Sequence, residues 1–289
     1  MSHRLRWLLV AALLASACSP KQKMRPAGDL WQDANEAYNA DAYELAIENY
    51  KKLLDQYPFD DRAEEAELRI AYAYFYAERY EEATAAFQDF ERMHPTSRSL
   101  AAVEYHRGLA ALARYRTTDR DESSVTDALG SFRNVIDRFP GTPWAARAEL
   151  RVRECREALA RKEQQVAQYY LDRKSLRAAE GRLRQLLEDY PETDAAADGL
   201  ARFAQAYQVR GEDRAATLAL SALVQDHPDM PEAADAREQL AARNDPLVVD
   251  ARAQLIDELN VLGGEQSRQS TPHAVSAYPE RAGSGEAGY

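Results

Sequence analysis

The chain has 289 residues and a formal net charge of −11, with 45% hydrophobic and 29% charged residues. An acidic balance of this size excludes a chain-wide basic surface for nucleic acid, and no apolar run reaches the roughly 18–20 residues of a membrane-spanning helix. Gly is scarce, at 12 residues, while Ala, Glu, Arg and Leu dominate, so the composition favours helix over strand.

The opening segment MSHRLRWLLVAALLASAC has the form of a secretory signal. Two basic residues, Arg4 and Arg6, precede an apolar run over residues 7–15, and small residues follow as far as Cys18. The alternative is a buried N-terminal helix. We predict a signal peptide over residues 1–17.

Cys18 follows Ala-Ser-Ala, which is similar to a bacterial lipoprotein signal, in which the Cys becomes the lipidated first residue. Ala15 stands where Leu is usual in such signals. Two or more acyl chains on Cys18 would anchor the chain stably to a bilayer surface. Because Ser19 follows, rather than the Asp associated with inner-membrane retention, we expect the periplasmic face of the outer membrane. Residues 18–28 then form the lipidated tether.

One apolar pattern recurs five times in the rest of the chain. An Ala is followed four residues later by a ring or Leu, seven residues later by an apolar residue, and twelve residues later by Pro. The five Ala are Ala46, Ala83, Ala128, Ala179 and Ala216. The five Pro, each directly after a ring residue, are Pro58, Pro95, Pro140, Pro191 and Pro228. This spacing predicts an amphipathic helix that ends before each Pro.

Each of these helices is preceded by another helix with a small residue of its own. Twelve residues before the repeat Ala come Ala34, Ala71, Ala167 and Ala204. In the third unit the loop between the two helices is longer. If eight extra residues are allowed for in this loop, Gly108 takes the place equivalent to these Ala residues. Three units have Tyr three residues after the small residue, and the whole pattern is typical of tetratricopeptide repeats. The alternative is a set of unrelated amphipathic helices with Pro placed by chance.

A helical hairpin of this kind cannot bury its apolar face alone, so neighbouring units must stack and share one core. We therefore predict an all-α fold, a right-handed superhelix of five tetratricopeptide-like hairpins plus a C-terminal helix. The concave surface, lined by each unit's first helix, suits extended peptides or other proteins. The predicted regions are units one to three at 29–140, a long helix with units four and five at 141–242, an extra helix at 243–262, and a disordered tail at 263–289.

No constellation of catalytic residues accompanies the repeat. The five His are scattered without metal-ligand spacing, and the sequence has no phosphate-binding loop or G-x-S-x-G motif. Cys155 has no His close in sequence to act as its base, which favours an inert buried residue. We therefore expect no enzyme activity, no cofactor and no metal.

Several stretches carry a resemblance to a known family: YKKLLDQYPF, AELRIAYAYFYAERYEEATAAFQDFERMHPT, VEYHRGLAAL and FRNVIDRFPGTPWAARAELR. From about Asp29 to Leu240 the chain resembles the BamD family of outer-membrane assembly lipoproteins. The long loop of unit three and the long fourth helix pair agree with that family. One departure is Asp60-Asp61, where the family commonly has Gly; this changes a turn rather than the scaffold.

The resemblance implies a non-catalytic lipoprotein subunit of the outer-membrane β-barrel assembly machinery. Its C-terminal units would bind the periplasmic domains of the central barrel subunit, and its N-terminal units would receive unfolded outer-membrane proteins. Other accessory lipoproteins of the machinery are further expected partners. The alternative is a generic periplasmic adaptor lipoprotein that scaffolds cell-envelope or division proteins.

The first group of candidate contact residues lies on the substrate-binding half. Arg69, Tyr72 and Tyr76 fall on one helix face, where rings with polar tips suit an aromatic peptide end and a guanidinium suits its carboxylate. Tyr105 and Arg107 are placed on the next concave helix. For all five residues the alternative is an ordinary helix surface.

The second group lies on the half that binds the barrel subunit. The resemblance places Arg182 against an acidic residue of that subunit, and a planar guanidinium fits an interfacial carboxylate well. Arg173 either joins it or caps the end of its own helix, and the alternative for Arg182 is a solvated surface Arg. In the loop of unit three, Asp119 and Asp121 could form a paired carboxylate site, but we expect turns and a salt bridge.

Overall fold

The computed structural model describes residues 24–117 and 122–269, with side chains described for 24–115 and 122–261. These residues contain twelve α-helices and no strand, which confirms the all-α prediction. In chain order the helices are α1 (Ala27–Asn39), α2 (Tyr43–Gln56), α3 (Ala63–Tyr76), α4 (Tyr80–Met93), α5 (Leu100–Thr117), α6 (Glu122–Arg138), α7 (Pro143–Asp172), α8 (Leu176–Asp189), α9 (Asp194–Arg210), α10 (Asp213–Asp226), α11 (Pro231–Arg243) and α12 (Ala251–Gln269). The predicted sites at Cys18, Asp119 and Asp121 lie outside the described residues.

The helices form two compact units, one reaching Glu149 and the other beginning at Leu150. The boundary falls inside α7, which contributes its first residues to the first unit and the rest to the second. In the first unit, consecutive helices from α1 to α6 pack against one another, as expected for stacked hairpins.

The repeat positions lie at the centre of the cores of both units. All five repeat Ala are completely buried. The large side chains four residues later are 0–2% exposed, at Tyr50, Phe87, Phe132, Leu183 and Leu220. Small residues on the partner helices let the backbones approach, so these large side chains fill the space between paired helices. Burial of one such side chain contributes about 1.5–3 kcal/mol to stability.

Gly108 of α5 lies directly against the ring of Phe132 on α6. A Cβ atom at Gly108 would stand 2.7 Å from Cε1 of Phe132, well inside the normal separation of carbon atoms. The third unit therefore needs Gly at this point, because the ring comes too close to the partner backbone for Ala. The contact supports the alignment that makes Gly108 equivalent to Ala34 and Ala71.

Each ring-Pro pair ends a helix. The backbone N–H of the ring residue donates to the carbonyl oxygen four residues earlier, and the Pro that follows has no N–H with which to continue the helix. The N–O distances are 2.8 to 3.1 Å at Tyr57, His94, Phe139, Tyr190 and His227. The pairs therefore fix where the second helix of each hairpin stops.

The chain leaves α11 through a turn that is held against α10. Asn244 adopts a left-handed conformation with a φ of 56°, and Pro246 follows two residues later. The N–H of Val248 then donates to Oγ of Ser221 at 3.2 Å, and Nε2 of Gln225 donates to the Val248 carbonyl oxygen at 2.5 Å. These bonds fix the direction in which the last helix begins.

The last helix, α12, covers the end of the second unit. It occupies Ala251–Gln269, whereas the sequence led us to expect the extra helix over residues 243–262. Ala251, Leu255 and Leu259 recur every four residues and are 0–4% exposed. Because α12 packs against α8 and α10, these three side chains extend the core of the second unit.

Gly108→Ala should destabilise the protein, because the added methyl group meets the Phe132 ring inside a packed core. The expected loss is about 1–3 kcal/mol in the free energy of unfolding, measured by urea denaturation with circular dichroism. Gly130 of α6 is the matched control, since nothing lies within 4 Å of a Cβ placed there. Gly130→Ala should be neutral or stabilise by up to about 1 kcal/mol. Equal stability of the two variants would contradict the close contact between Gly108 and the Phe132 ring.

Candidate functional site

A cavity of about 760 Å³ lies in the first unit, along one face of α3. Glu65, Arg69, Tyr72 and Tyr76 of that helix line it, at spacings of four, three and four residues. Side chains at these spacings share one helix face, so they form a stripe from the acidic first turn to the last turn. The remaining lining residues are Tyr38, Asp61, Glu64, Leu68, Ser99, His106 and Trp144.

One end of the cavity is a wall of tyrosine rings. Tyr76 stacks on Tyr72 and on Tyr43, with ring centroids 6.4 and 5.7 Å apart. Tyr38 meets Tyr76 edge-on at 6.4 Å. Tyr76 is 47% exposed, which is high for a large aromatic side chain. The wall therefore presents a ring face to solvent while its neighbours hold that ring in place.

The hydroxyls of Tyr72 and Tyr38, two members of this wall, stay protonated at neutral pH. Burial raises the pKa of Tyr72 to about 12, and the neighbouring Tyr76 adds to the shift. Burial also raises the pKa of Tyr38. A protonated phenol both donates and accepts hydrogen bonds, so these side chains offer polar tips beside apolar ring faces.

Arg69 lies in the middle of the stripe and is held by two contacts. Its Nη2 lies 3.2 Å from Oε1 of Glu65, one helical turn earlier. Its guanidinium carbon lies 5.1 Å from the ring centroid of Tyr38, a cation–π geometry. The structure thus brings together three of the predicted groove residues, Arg69, Tyr72 and Tyr76, at one cavity.

Two lining residues of the cavity, His106 and Trp144, were not among the predicted groove residues. His106 meets Tyr72 edge-on at 4.8 Å, and Trp144 lies 5.4 Å from His106. Burial lowers the pKa of His106, so the ring is neutral, and its Nδ1–H donates to the Ala102 carbonyl oxygen at 2.8 Å. Both residues come from helices distant in sequence, so a pattern within α3 alone could not reveal them.

Tyr105 and Arg107, the other two predicted groove residues, do not line this cavity. Tyr105 is 7% exposed and packs against Phe132 and Trp144 at 5.5 and 5.3 Å. Successive residues point about 100° apart around a helix, and it is His106, between them, that faces the cavity. Tyr105 and Arg107 therefore flank the residue of α5 that faces the cavity.

Arg107 instead belongs to a charged network inside the first unit. Its Nη2 donates to Oε1 of Glu104 at 2.6 Å, and its Nη1 donates to Glu91 at 3.2 Å. The Glu104 side chain is 2% exposed, and burial raises its pKa while Arg107 opposes the shift. Asn134 also donates to this carboxylate, at 3.4 Å. Arg107 therefore compensates a buried charge.

The second unit contains the other predicted residues, Arg182 and Arg173. Nη1 of Arg182 on α8 lies 3.1 Å from Oε2 of Glu163 on α7, and its side chain is 41% exposed. Arg173, just after α7, has its guanidinium carbon 3.6 Å from the ring centroid of Tyr169. Both cations are thus held by side chains of α7 while part of the Arg182 side chain remains open to solvent.

Further features of the described residues concern membrane spans, metal sites and reactive cysteines. No helix among them has the length and apolar character needed to cross a membrane. They also contain no group of three or more His, Cys, Asp or Glu that could hold a metal ion. Cys155 is fully buried, so its thiol is shielded from substrates.

The relatives of this chain are consistent with the fold and the repeat. Residues 23–220 match the model of a protein family described as YfiO, outer membrane lipoprotein. The chain belongs to this family. The family match covers α1 to α9 and part of α10, while α11 and α12 lie beyond it. The resemblance seen in the sequence is therefore confirmed.

Individual relatives carry the name outer membrane protein assembly factor BamD. The one from Vibrio cholerae is 30% identical over 205 residues, which cover 66% of this chain and 85% of that protein. The one from Xylella fastidiosa is 30% identical over 215 residues, covering 69% and 74%. Among solved structures, the TPR2AB domain of yeast Sti1 in its pHSP90 complex is 17% identical, with a TM-score of 0.41 over 82% of this chain and 98% of that one.

Arg107→Met should destabilise the first unit, because it leaves the Glu104 carboxylate buried without its main partner. The expected loss is about 3–5 kcal/mol at neutral pH, measured by urea denaturation. Burial already raises the pKa of Glu104, and removal of the cation raises it further. A carboxyl whose pKa is higher in the folded than in the unfolded protein favours the folded protein when pH is low enough to protonate it. The stability loss caused by Arg107→Met should therefore shrink as pH falls through that raised pKa.

The double variant Glu104→Gln/Arg107→Met is the control, since it removes the charge together with its partner. It should recover part of the lost stability, and its remaining stability difference from the wild type should no longer depend on pH in this way. A single variant as stable as the wild type would contradict the role of Arg107 as a compensating charge.

Proposed function

We propose that this chain is a non-catalytic assembly factor of the outer-membrane β-barrel assembly machinery, which promotes the folding and insertion of barrel proteins. The observation that carries the proposal is family membership, since the named relatives are assembly factors matched over 74–85% of their own length. The tetratricopeptide-like hairpins fit this role, because stacked hairpins offer extended surfaces for other chains.

The cavity of the first unit is the proposed site for a segment of an unfolded barrel protein. Such a segment is extended and carries aromatic side chains, which stack well on a ring wall. Tyr76, supported by Tyr72 and Tyr43, offers that surface, and tyrosine hydroxyls can form hydrogen bonds with the segment's backbone. Arg69 supplies the cation of the groove. A shallow, half-exposed wall supports weak binding that lets the substrate leave again.

Arg182 and Arg173 of the second unit are the proposed contacts to the periplasmic domains of the central barrel subunit. The pair of Arg182 with Glu163 orients the guanidinium and leaves donors on its exposed side. A carboxylate of the partner could then be bound in the planar geometry that Arg favours. Other accessory lipoproteins of the machinery are further proposed partners.

The proposed location is the periplasmic face of the outer membrane, with lipid on Cys18. Acyl chains on this residue would supply the membrane affinity, since stable anchoring takes two signals rather than one. Ala27, the first residue of α1, lies nine positions after Cys18. A chain of that length spans at most about 32 Å, so the first unit would stay close to the bilayer surface.

Arg182→Glu should weaken association with the central barrel subunit at least tenfold, because a cation facing a carboxylate is replaced by a like charge. The measurement is a pull-down of the tagged full chain from detergent-solubilised outer membrane, with bound barrel subunit quantified by mass spectrometry. Absence of any barrel subunit on the wild-type chain would refute the proposed function.

Arg184→Glu on the same helix is the matched control for this experiment. Arg184 is 39% exposed and pairs with Glu188 at 3.1 Å, as Arg182 is 41% exposed and pairs with Glu163 at 3.1 Å. Both reversals therefore lose one ion pair and create one repulsion within the chain. Equal recovery of the barrel subunit by the two variants would remove Arg182 from the interface.

Tyr76→Ala should weaken binding of a fluorescent peptide from the last strand of an outer-membrane barrel protein by about tenfold, through loss of the exposed ring face. Fluorescence anisotropy with the full chain in detergent measures the dissociation constant. Tyr169→Ala is the control, since Tyr169 is 50% exposed, similar to Tyr76 at 47%, but belongs to the second unit. A similar loss in both variants would show that the cavity is not the peptide site.

A further inference from the structure

The cavity of the first unit has unequal charge along its length. Its three carboxylates, on Asp61, Glu64 and Glu65, all belong to the start of α3 and the turn before it, whereas Tyr72 and Tyr76 lie at the other end of the helix. Arg69 stands between the two ends. A ligand that lies along α3 therefore meets an acidic region at one end and an aromatic region at the other.

Arg69 does not cancel this negative charge. Its guanidinium is paired with Glu65 and lies on the Tyr38 ring, so the charges of Asp61 and Glu64 remain. The nearest partner of Glu64 is a neutral hydroxyl, Oγ of Ser97, at 2.7 Å. A cleft lined by an excess of one charge concentrates ligands of the opposite charge.

Two nearby cations, Arg62 and Arg147, are held by groups other than the cavity carboxylates. Arg62, in the turn before α3, donates to both carboxylate oxygens of Asp60 at 2.7 and 2.8 Å. Arg147 lies over the ring of Trp144 at 4.9 Å, at the aromatic end of the cavity. His94 contacts Glu67 at 2.5 Å, and its other ring nitrogen is 3.9 Å from Glu64. The acidic end is thus open to a cation from a ligand.

The dimensions of α3 set the spacing between the two ends. Tyr72 and Tyr76 follow Glu65 by seven and eleven residues. At about 1.5 Å per helical residue these separations are roughly 10 and 16 Å along the axis. An extended peptide advances about 3.3 Å per residue, so it covers the same distances in roughly three to five residues.

We infer that the cavity selects extended segments in which a Lys or Arg lies about three to five positions from an aromatic residue. Asp61, Glu64 and Glu65 bind the basic side chain, and Tyr72 and Tyr76 bind the ring. Arg69 then separates the two subsites and orients Glu65, rather than receiving a terminal carboxylate. The inference rests on the proposed function, in that the cavity receives segments of unfolded barrel proteins.

A purely structural role for these acidic residues must be distinguished from recognition. Carboxylates in the first turn stabilise a helix through its dipole, and Glu64 and Glu65 occupy the first turn of α3. The same arrangement recurs in α4, where Glu81 and Glu82 occupy the first turn. Glu82 is paired with Arg79, as Glu65 is paired with Arg69, but this second pair does not line the cavity.

The test uses three fluorescein-labelled, C-terminally amidated peptides of ten residues. Each has one Tyr; the first has Lys four positions away, the second has Glu at that position, and the third has an uncharged Gln there. Fluorescence anisotropy with the full chain in detergent gives the three dissociation constants, at low salt and at high salt. The two double variants are Glu64→Gln/Glu65→Gln and, as the matched control, Glu81→Gln/Glu82→Gln.

The wild-type chain should bind the Lys peptide roughly tenfold more tightly than the Glu peptide, with Gln between them, and high salt should reduce the ratio. Glu64→Gln/Glu65→Gln should remove the preference, while Glu81→Gln/Glu82→Gln should keep it. Equal binding of all three peptides, or a preference that survives in the first double variant, would overturn the inference and leave the aromatic groove in place. If no peptide binds, the groove itself is refuted.

Discussion

The fold depends on one packing constraint, the close contact between a small residue on one helix and a ring or Leu on its partner. Ala34, Ala71 and their equivalents on the first helix of each hairpin leave space for the second helix, whose large side chains, such as Tyr50 and Phe87, are completely buried. Where the ring comes nearest to the opposing backbone, at Phe132, even Ala is too large and Gly108 is required. The corresponding repeat positions are buried in all five units, so units that differ in sequence still form a repeated structure.

Because the core uses only one face of each helix, the other faces are free to differ between units. On α3 this freedom produces a stripe that is acidic at its start and aromatic at its end, and on α8 it leaves Arg182 half open to solvent. The two proposed binding sites therefore use surface positions of the same helices whose other positions hold the hairpins together. A substitution on a binding face can alter partner binding without disturbing the core. A substitution in the core seldom leaves the binding face unchanged.

The sequence was sufficient to predict the repeat helices, the point before each Pro where a second helix ends, and the buried repeat positions, because these depend on spacing within one helix and on Pro. It did not predict the bounds of the last helix, which begins after the turn at Asn244. The sequence also placed Arg69, Tyr72 and Tyr76 on one helix face, and all three line one cavity in the structure. Tyr105 and Arg107 do not line that cavity, because a rotation of α5 by one residue decides which side chain faces it. His106 and Trp144 were missed for the same reason: their proximity to α3 depends on packing between helices, which no local spacing encodes.

The last helix has a consequence for how this array of hairpins ends. Because α12 packs against α8 and α10 and buries Leu255 and Leu259, it covers apolar surface of the second unit. The side chains of Ser221 and Gln225 secure the approach to that helix, so the closure is tied to α10 itself. The end of the second unit is thus shielded from water by a helix outside the repeat pattern. Detaching α12 would expose Leu255, Leu259 and the surface of α8 and α10 that they cover.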